Sequence, residues 1–389
     1  MAGQPCRRQN HQGDFRTVSL TSLKIEQAEL RVVRLPLLSP FTIATGTMHE
    51  KLFPLLILRS GGLEGYAEGV MDPLPDYLDE AVSGAMAFLR EALLPLAMGK
   101  SYGSPEAMAA SLSHWRANYM TRATLEMAFW DLWAKAKGQP LKDILGGVRD
   151  GVDVGVSLGI MDIATTIEKA RQHEALGYKR IKLKIMPGHD IAVVDAVRKA
   201  MPEAHLTVDA NSAYRLSDTP LLKQLDNFAL DYIEQPLAWD DIHDHAELQK
   251  HLKTPICLDE CIRTVEHARK AIATDAARVI NIKVGRVGGH MECKRIHDLC
   301  ASAKVPVWCG GMLESGIGRA HNIHLATMAN FTKPGDTSSA SRYFARDITN
   351  EKLEASNGVM PVPKGLGIGV SLDWDYLDRV TESREVFAA

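Results

Sequence analysis

The sequence contains no apolar run approaching the roughly 20 residues that a membrane span requires. Its first 21 residues, MAGQPCRRQNHQGDFRTVSLT, also lack the apolar core of a secretory signal. No membrane partner is expected, and the opening segment reads as a disordered tail. Charge of one sign is equally absent: 45 Lys and Arg against 48 Asp and Glu leave a formal net charge of −3 over 389 residues. That is too weak a field to favour nucleic acid or an anionic surface, so the expected partner is a small molecule. Cysteine is scarce too, with six residues at 6, 257, 261, 293, 300 and 309 and no CxxC pair. A chain of this length buries enough core to fold without disulfides, and reduced thiols in a cytoplasm are the simplest expectation.

What is present divides into two grammars. KIEQAELRVVRLPL and LFPLLILRSGGLEGYAEG read as strands, the latter with apolar runs on either side of a Gly61-Gly62 turn, and predict an antiparallel sheet. Helical stretches follow around Tyr77 to Leu94, Ala107 to Tyr119 and Thr121 to Lys137. The turn LGGVRDG, ending at Gly151, marks a boundary. Beyond it, short apolar strands alternate with amphipathic helices: VDVGVSLG, RIKLKI, HLTVDAN, LDYIEQP, PICLDE, VINIKV and PVWCGG. Repeated strand-helix units of this kind predict an α/β domain with a parallel sheet closed into a β/α barrel.

The polar residues of these strands keep a fixed interval. Lys184, Asp209, Glu234 and Asp259 are each 25 apart, and Lys283 follows Asp259 by 24. One interval equals one strand, helix and pair of loops, so the five occupy equivalent places on successive strands and converge at the C-terminal end of the barrel. Three carboxylates in one mouth repel one another unless a cation neutralises them. An all-oxygen set without His or Cys points to Mg²⁺, with Mn²⁺ or another divalent ion as substitute, rather than zinc. Such an ion binds a substrate carboxylate and offsets the charge that develops when the adjacent carbon loses its proton. In RIKLKI the charged Arg180, Lys182 and Lys184 share one face; Lys182 places positive charge beside Lys184, which favours the neutral amine, the form that acts as a base. Lys184 and Lys283 approach a substrate from opposite sides, and two bases on opposite faces of one carbon permit inversion. Arg180, deepest on its strand, is expected to be structural.

A single strand lysine is ordinarily a solvated edge residue, and an acidic residue at a strand end is ordinarily a helix cap. Five such residues at one interval argue against that reading. Asn211 and Glu260 either cap the following helices or support the site. GLGIGV does not lie between a strand and a helix in a dinucleotide-binding unit and reads as a turn. HDHAELQKH, with His243, His245 and His251, reads as a solvated polar helix, and Cys261 as a packed small residue.

These residues resemble the muconate-lactonizing subgroup of the enolase superfamily, and within it the N-succinylamino acid racemase / o-succinylbenzoate synthase family. The resemblance is carried by RIKLKIMPGHD, VDANSAY, YIEQPLAWDD, TPICLDE, INIKVGRVGGH and VWCGGMLESGIGRAHN and spans nearly the whole chain after the tail. It implies a modified TIM barrel, (β/α)7β, over residues 149–349. An α+β capping domain over 22–148 would be completed by about 350–389. It also implies Lys184 and Lys283 as acid and base, Lys182 in support against the substrate carboxylate, and Asp209, Glu234 and Asp259 as Mg²⁺ ligands. Ser157, Asn211, Gly311 and Met312 would surround a small carboxylate substrate in a homo-oligomer, with an octamer as one such assembly. The implied reaction is racemisation of N-acylamino acids through an enediolate, a chemistry general to this superfamily, or syn-dehydration to o-succinylbenzoate. A noncatalytic barrel is the alternative from another class, and it predicts damage to at least one of the five positions. Relatives often carry Ser-Phe-Gly where this chain has Ala44-Thr45-Gly46, which bears on the accepted side chain.

Overall fold

A computed structural model describes residues 21–389; the tail expected over the first 21 residues lies, but for Thr21, outside them. After a two-residue strand, Leu23–Lys24, that pairs with Ser101–Tyr102, three strands form an antiparallel meander: β1 (Gln27–Ile43), β2 (Gly46–Ser60) and β3 (Leu63–Glu68). Gly61 and Gly62 join β2 to β3 with φ of 56° and 78°, the left-handed pair that a two-residue hairpin needs and side chains resist. A late strand, Thr381–Ala388, pairs antiparallel with the free edge of β1, setting Ala388 opposite Gln27. The segment expected to be helical from Tyr77 begins its helix only at Val82. Glu80 is held in the preceding loop because its carboxylate accepts from Met120 N at 2.7 Å, Thr121 N at 2.8 Å and Thr121 Oγ1 at 2.6 Å. The two backbone groups are orphan donors at the start of α1 (Tyr119–Ala136), whose own N-cap Asn118 offers no side-chain bond.

Helix α1 buries 14 of its 18 residues, far more than one amphipathic face, because it lies between the antiparallel sheet and the barrel. It passes so close to β3 that a Cβ on Gly65 would stand 2.3 Å from Ala128 O. Asp131 accepts from Tyr66 N and from Ile368 N, each at 2.8 Å, and so ties α1 to the GLGIGV turn.

Seven parallel strands follow in strict sequence order: β4 (Val156–Leu158), β5 (Ile181–Lys184), β6 (Leu206–Asp209), β7 (Ile233–Glu234), β8 (Ile256–Leu258), β9 (Val279–Ile282) and β10 (Val307–Cys309). The segment 331–336 then bonds to both edges of this curled sheet, through bridges from Phe331 to Val307 and from Gly335 to Val154. Asp336 N donates to Cys309 O at 2.8 Å, so this short irregular piece takes the eighth place. Among the described residues no helix is long and apolar enough to cross a membrane.

The helix His243–Gln249 departs from the solvated reading at one residue. His243 and His251 are exposed, but His245 is buried, accepting from Leu237 N at 3.0 Å and donating to Asp241 O. It fastens the β7 loop to its own helix, a local role that composition alone does not reveal.

Three further buried histidines join α2 (His290–Ser302) and α3 (Gly316–Leu325) to the capping elements. His321 Nε2 donates to Tyr66 O at 2.8 Å, and its Nδ1 accepts from His290 Nε2 at 2.9 Å. His324 accepts from Lys142 N and donates to Ile368 O. Burial pushes His324 from the ordinary 6.5 down to about 4. The native state therefore holds fewer protons than the unfolded chain between those values, and this part of the stability is lost as pH falls from 6.5 towards 4. Replacing His324 by Gln, which keeps an acceptor and a donor, is expected to flatten unfolding free energy against pH in that window by about 1.4 kcal/mol per pH unit. Urea unfolding at a series of pH values measures it, and an unchanged slope would contradict the assignment.

Candidate active site

The interval counted in the sequence places its residues in one row. Lys184, Asp209 and Glu234 are the last residues of β5, β6 and β7 and stand in register, while Asp259 and Lys283 each follow the last residue of β8 and β9. The chain turns sharply after two of these tips, at Asn211 with φ 40° and Gln235 with φ 37°, a left-handed conformation that local hydrogen bonds must hold. Gln235 Oε1 accepts from Asp259 N at 3.0 Å, and Asn211 N donates to Asp209 Oδ1 at 3.0 Å. Backbone strain is thus spent on aiming carboxylates.

Lys184 Nζ lies 2.6 Å from Asp209 Oδ2 and 2.5 Å from Asn211 Oδ1; Asn211 Nδ2 donates onward to Glu260 at 3.0 Å. Asn211 and Glu260 therefore support the site side chain to side chain. Lys283 Nζ lies 2.8 Å from Asp259 Oδ2 and 3.6 Å from Met312 Sδ. Gly310 admits that lysine, since a Cβ there would meet Lys283 Cε at 2.6 Å. Between the two lysines run β6, β7 and β8. Lys182, one pleat beneath Lys184, reaches Glu234 at 3.0 Å, Asp209 at 3.3 Å and Asp336 at 2.6 Å. Burial opposes its charge, yet Asp336, Glu234 and Asp209 together raise its pKa well above the ordinary lysine value, so it remains an ammonium.

Three residues of the site were not found in the sequence. Asp336 sits on the irregular eighth segment and pairs with both Lys182 and Arg180, whose charges hold its carboxyl well below the ordinary range against the opposing effect of burial. Arg180 is fully buried, with its guanidinium 4.8 Å from the Trp308 ring. Arg286 pairs with Asp259 and donates to Asn281 O at 2.6 Å. Tyr77, from the capping region, places its Oη 3.0 Å from Lys283 Nζ. Only the recurring interval was available as a signal, and these three lie outside it.

In chemistry the residues fit a divalent cation. The donors are all carboxylate oxygens on neighbouring strand ends. Burial, and next the charge of Asp209, raise the pKa of both Glu234 and Glu260. Asp259 Oδ1 is buried against the Arg286 guanidinium, its ion-pair partner. Among the described residues no three acidic, His or Cys side chains converge on one point; each carboxylate of the row faces an ammonium or guanidinium instead.

Above the row lies a cavity of about 430 Å³. Ser157, Asn211, Gly311 and Met312 all line it, with Lys182, Lys184, Asp209, Lys283 and Asp336 at its floor. Glu234 and Asp259 lie beneath, fully buried. Ser157 Oγ is buried without a hydrogen-bond partner and is available to a ligand. The hairpin joining β1 to β2 forms one wall through Phe41, Ile43, Thr45 and Met48, and Ile160 N anchors it by donating to Thr42 O at 3.0 Å. Cys261 is no competing nucleophile: it is buried, accepts from Gln235 Nε2 at 2.9 Å, and burial pushes its thiol up to about 12.

Comparison with known proteins places this geometry. The mandelate racemase / muconate lactonizing enzyme N-terminal domain matches residues 27–146, and the enolase C-terminal domain-like family matches 165–376. N-succinylamino acid racemase of Thermus thermophilus is 55% identical, with 92% of this chain and 98% of that protein aligned. An o-succinylbenzoate synthase of Geobacillus kaustophilus is 47% identical, over 94% of this chain and 98% of that one. A crystal structure of an enolase-superfamily member from Listeria innocua superposes with a TM-score of 0.91 at 42% identity, covering 94% of this chain and 99% of that one. With both domain families matched in order and the lysine and carboxylate row in place, the chain belongs to the mandelate racemase / muconate lactonizing enzyme family of the enolase superfamily.

Proposed function

We propose that the protein racemises N-acylamino acids, with N-succinyl derivatives as the first class to test, by exchanging the α-proton between Lys184 and Lys283. The observation that carries this reading is the pair of amines on strands separated by three others, both lining one cavity. A substrate carboxylate set against the ammonium of Lys182 presents its α-carbon between them. One lysine removes the proton, leaving an enediolate, and the other delivers a proton to the opposite face. Asp209, Glu234 and Asp259 would hold Mg²⁺ or Mn²⁺, in keeping with the general dependence of this enzyme family on a divalent metal. When bound, the ion supplies positive charge for the substrate carboxylate and for the charge that grows as the proton leaves. Phe41, Ile43, Met48 and Leu74 give the side chain an apolar wall, beside which Thr45 stands.

A second reading, syn-dehydration to o-succinylbenzoate, is favoured by the 47% identical relative that carries that name. It too begins with removal of a proton beside a carboxylate, so the same floor serves it. Proton NMR of N-succinylphenylalanine enantiomers in D₂O with Mg²⁺ is expected to show α-proton exchange and racemisation. The dehydration substrate run alongside ranks the two activities by kcat/KM. Chelation with EDTA is expected to abolish exchange, and added Mg²⁺ to restore it; exchange that persists in EDTA would rule out the metal reading.

A further inference from the structure

The capping region reaches the two lysines unequally. The hydrogen-bonding partners of Lys184, Asp209 and Asn211, both come from the barrel. Lys283 has barrel contacts in Asp259 and Met312, but the hydroxyl of Tyr77, more than 200 positions earlier in the chain, stands 3.0 Å from its Nζ and 3.5 Å from Asp259 Oδ2. The aromatic ring is within 5.4 Å of the same nitrogen.

The segment that presents Tyr77, MDPLPDYLDE from Met71 to Glu80, is exposed from Pro73 to Asp76 yet pinned on both sides. Upstream, Lys51 Nζ holds Asp72 at 2.9 Å. Downstream, Leu78 is buried, Glu80 caps α1, and Asp79 accepts from Arg263 at 2.8 Å. Arg263 lies on the same barrel loop as Asp259, so the segment grips the loop that carries the carboxylate partner of Lys283. Pro73 and Pro75 restrict the backbone between these anchors. A tyrosine that only filled space would have no need to aim its hydroxyl at an ammonium, and this one does.

We propose that Tyr77 is a positioning residue for Lys283 alone, and therefore for one face of the substrate; the inference rests on the two-lysine racemase reading. A lysine ends in a flexible four-carbon stem, and with Asp259 as its remaining close polar partner the amine is drawn toward the β8 tip. The hydroxyl supplies the contact from the cap side. Displacement of a reacting group by about 1 Å can cost on the order of 10²-fold in rate.

The test measures α-proton exchange of each N-succinylphenylalanine enantiomer in D₂O with Mg²⁺ for the full chain and its variants. Lys184→Ala and Lys283→Ala first identify which enantiomer each lysine deprotonates. Tyr77→Phe, which keeps the ring, is expected to slow exchange of the Lys283 enantiomer by about ten- to a hundredfold. Exchange of the Lys184 enantiomer should stay within about twofold, a control for folding and metal binding in the same sample. Asp79→Asn, which loosens the segment without touching the site, should reproduce the same asymmetry more weakly. Equal loss for both enantiomers, or no loss for either, overturns the inference and leaves the racemase reading standing. Absence of exchange for both enantiomers in the unmodified protein overturns that reading and this inference with it.

Discussion

Alanine at position 184 or at position 283 is expected to lower racemisation by about 10² to 10⁴, the range over which positioned acid-base groups contribute. Neither change should unfold the protein. Without the Lys184 amine, Asp209 keeps Lys182 at 3.3 Å; without Lys283, Asp259 keeps Arg286. Each variant retains one working base, so it should still exchange the α-proton of one enantiomer while failing to invert it. The double variant should be little worse than either single one in racemisation, because breaking one half of a relay already stops it. Rates by polarimetry and exchange by NMR, measured on the same samples, separate these outcomes. Racemisation that survives either single replacement would refute the two-base assignment.

The second large effect falls on stability. Asp336→Asn removes the carboxylate that pairs with Arg180 and Lys182. Lys182 would keep Glu234 and Asp209, but Arg180, 1% exposed, would retain no carboxylate partner among the described residues. Leaving a buried charge uncompensated costs about 3–5 kcal/mol, and that loss should be visible in urea unfolding. Pairing the change with Arg180→Met removes the stranded charge, so the double variant should be more stable than Asp336→Asn alone. Strictly additive losses would show that Asp336 and Arg180 are not coupled. Activity should fall as well, since the ammonium of Lys182 is fixed partly by the same carboxylate.

The row of Lys184, Asp209, Glu234, Asp259 and Lys283 was legible because each residue terminates an apolar run and each run repeats at one interval; periodicity is a local property that a sequence displays. Asp336 ends no such run. Its segment, FTKPGD, carries a lysine and a proline and joins the sheet through isolated bridges rather than a ladder, so nothing marks it as the eighth position. Tyr77 acts through a contact across the fold, and Arg286 through contacts with the neighbouring strand tip, neither of which the interval encodes. His245 was misread for a related reason: a polar helix shows its composition in sequence but not which side meets the loop before it. The antiparallel start was legible from Gly61-Gly62. The pairing of the late strand with β1 was not, because partners so distant in sequence leave no mutual signature.

That last pairing bears on how the enzyme comes into being. Arg31 in β1 faces Arg384 in the late strand, a separation of more than 350 positions, and such contacts raise contact order and slow folding. On a ribosome, which extends a chain from its first residue onward, β1 must wait with an unsatisfied edge until the late strand, Thr381–Ala388, has emerged. An exposed edge is a template for pairing with other chains, so newly made protein is most prone to aggregate in that interval. Shortening the chain from residue 381 is thus expected to prolong that vulnerable state indefinitely, although it removes nothing that touches the cavity.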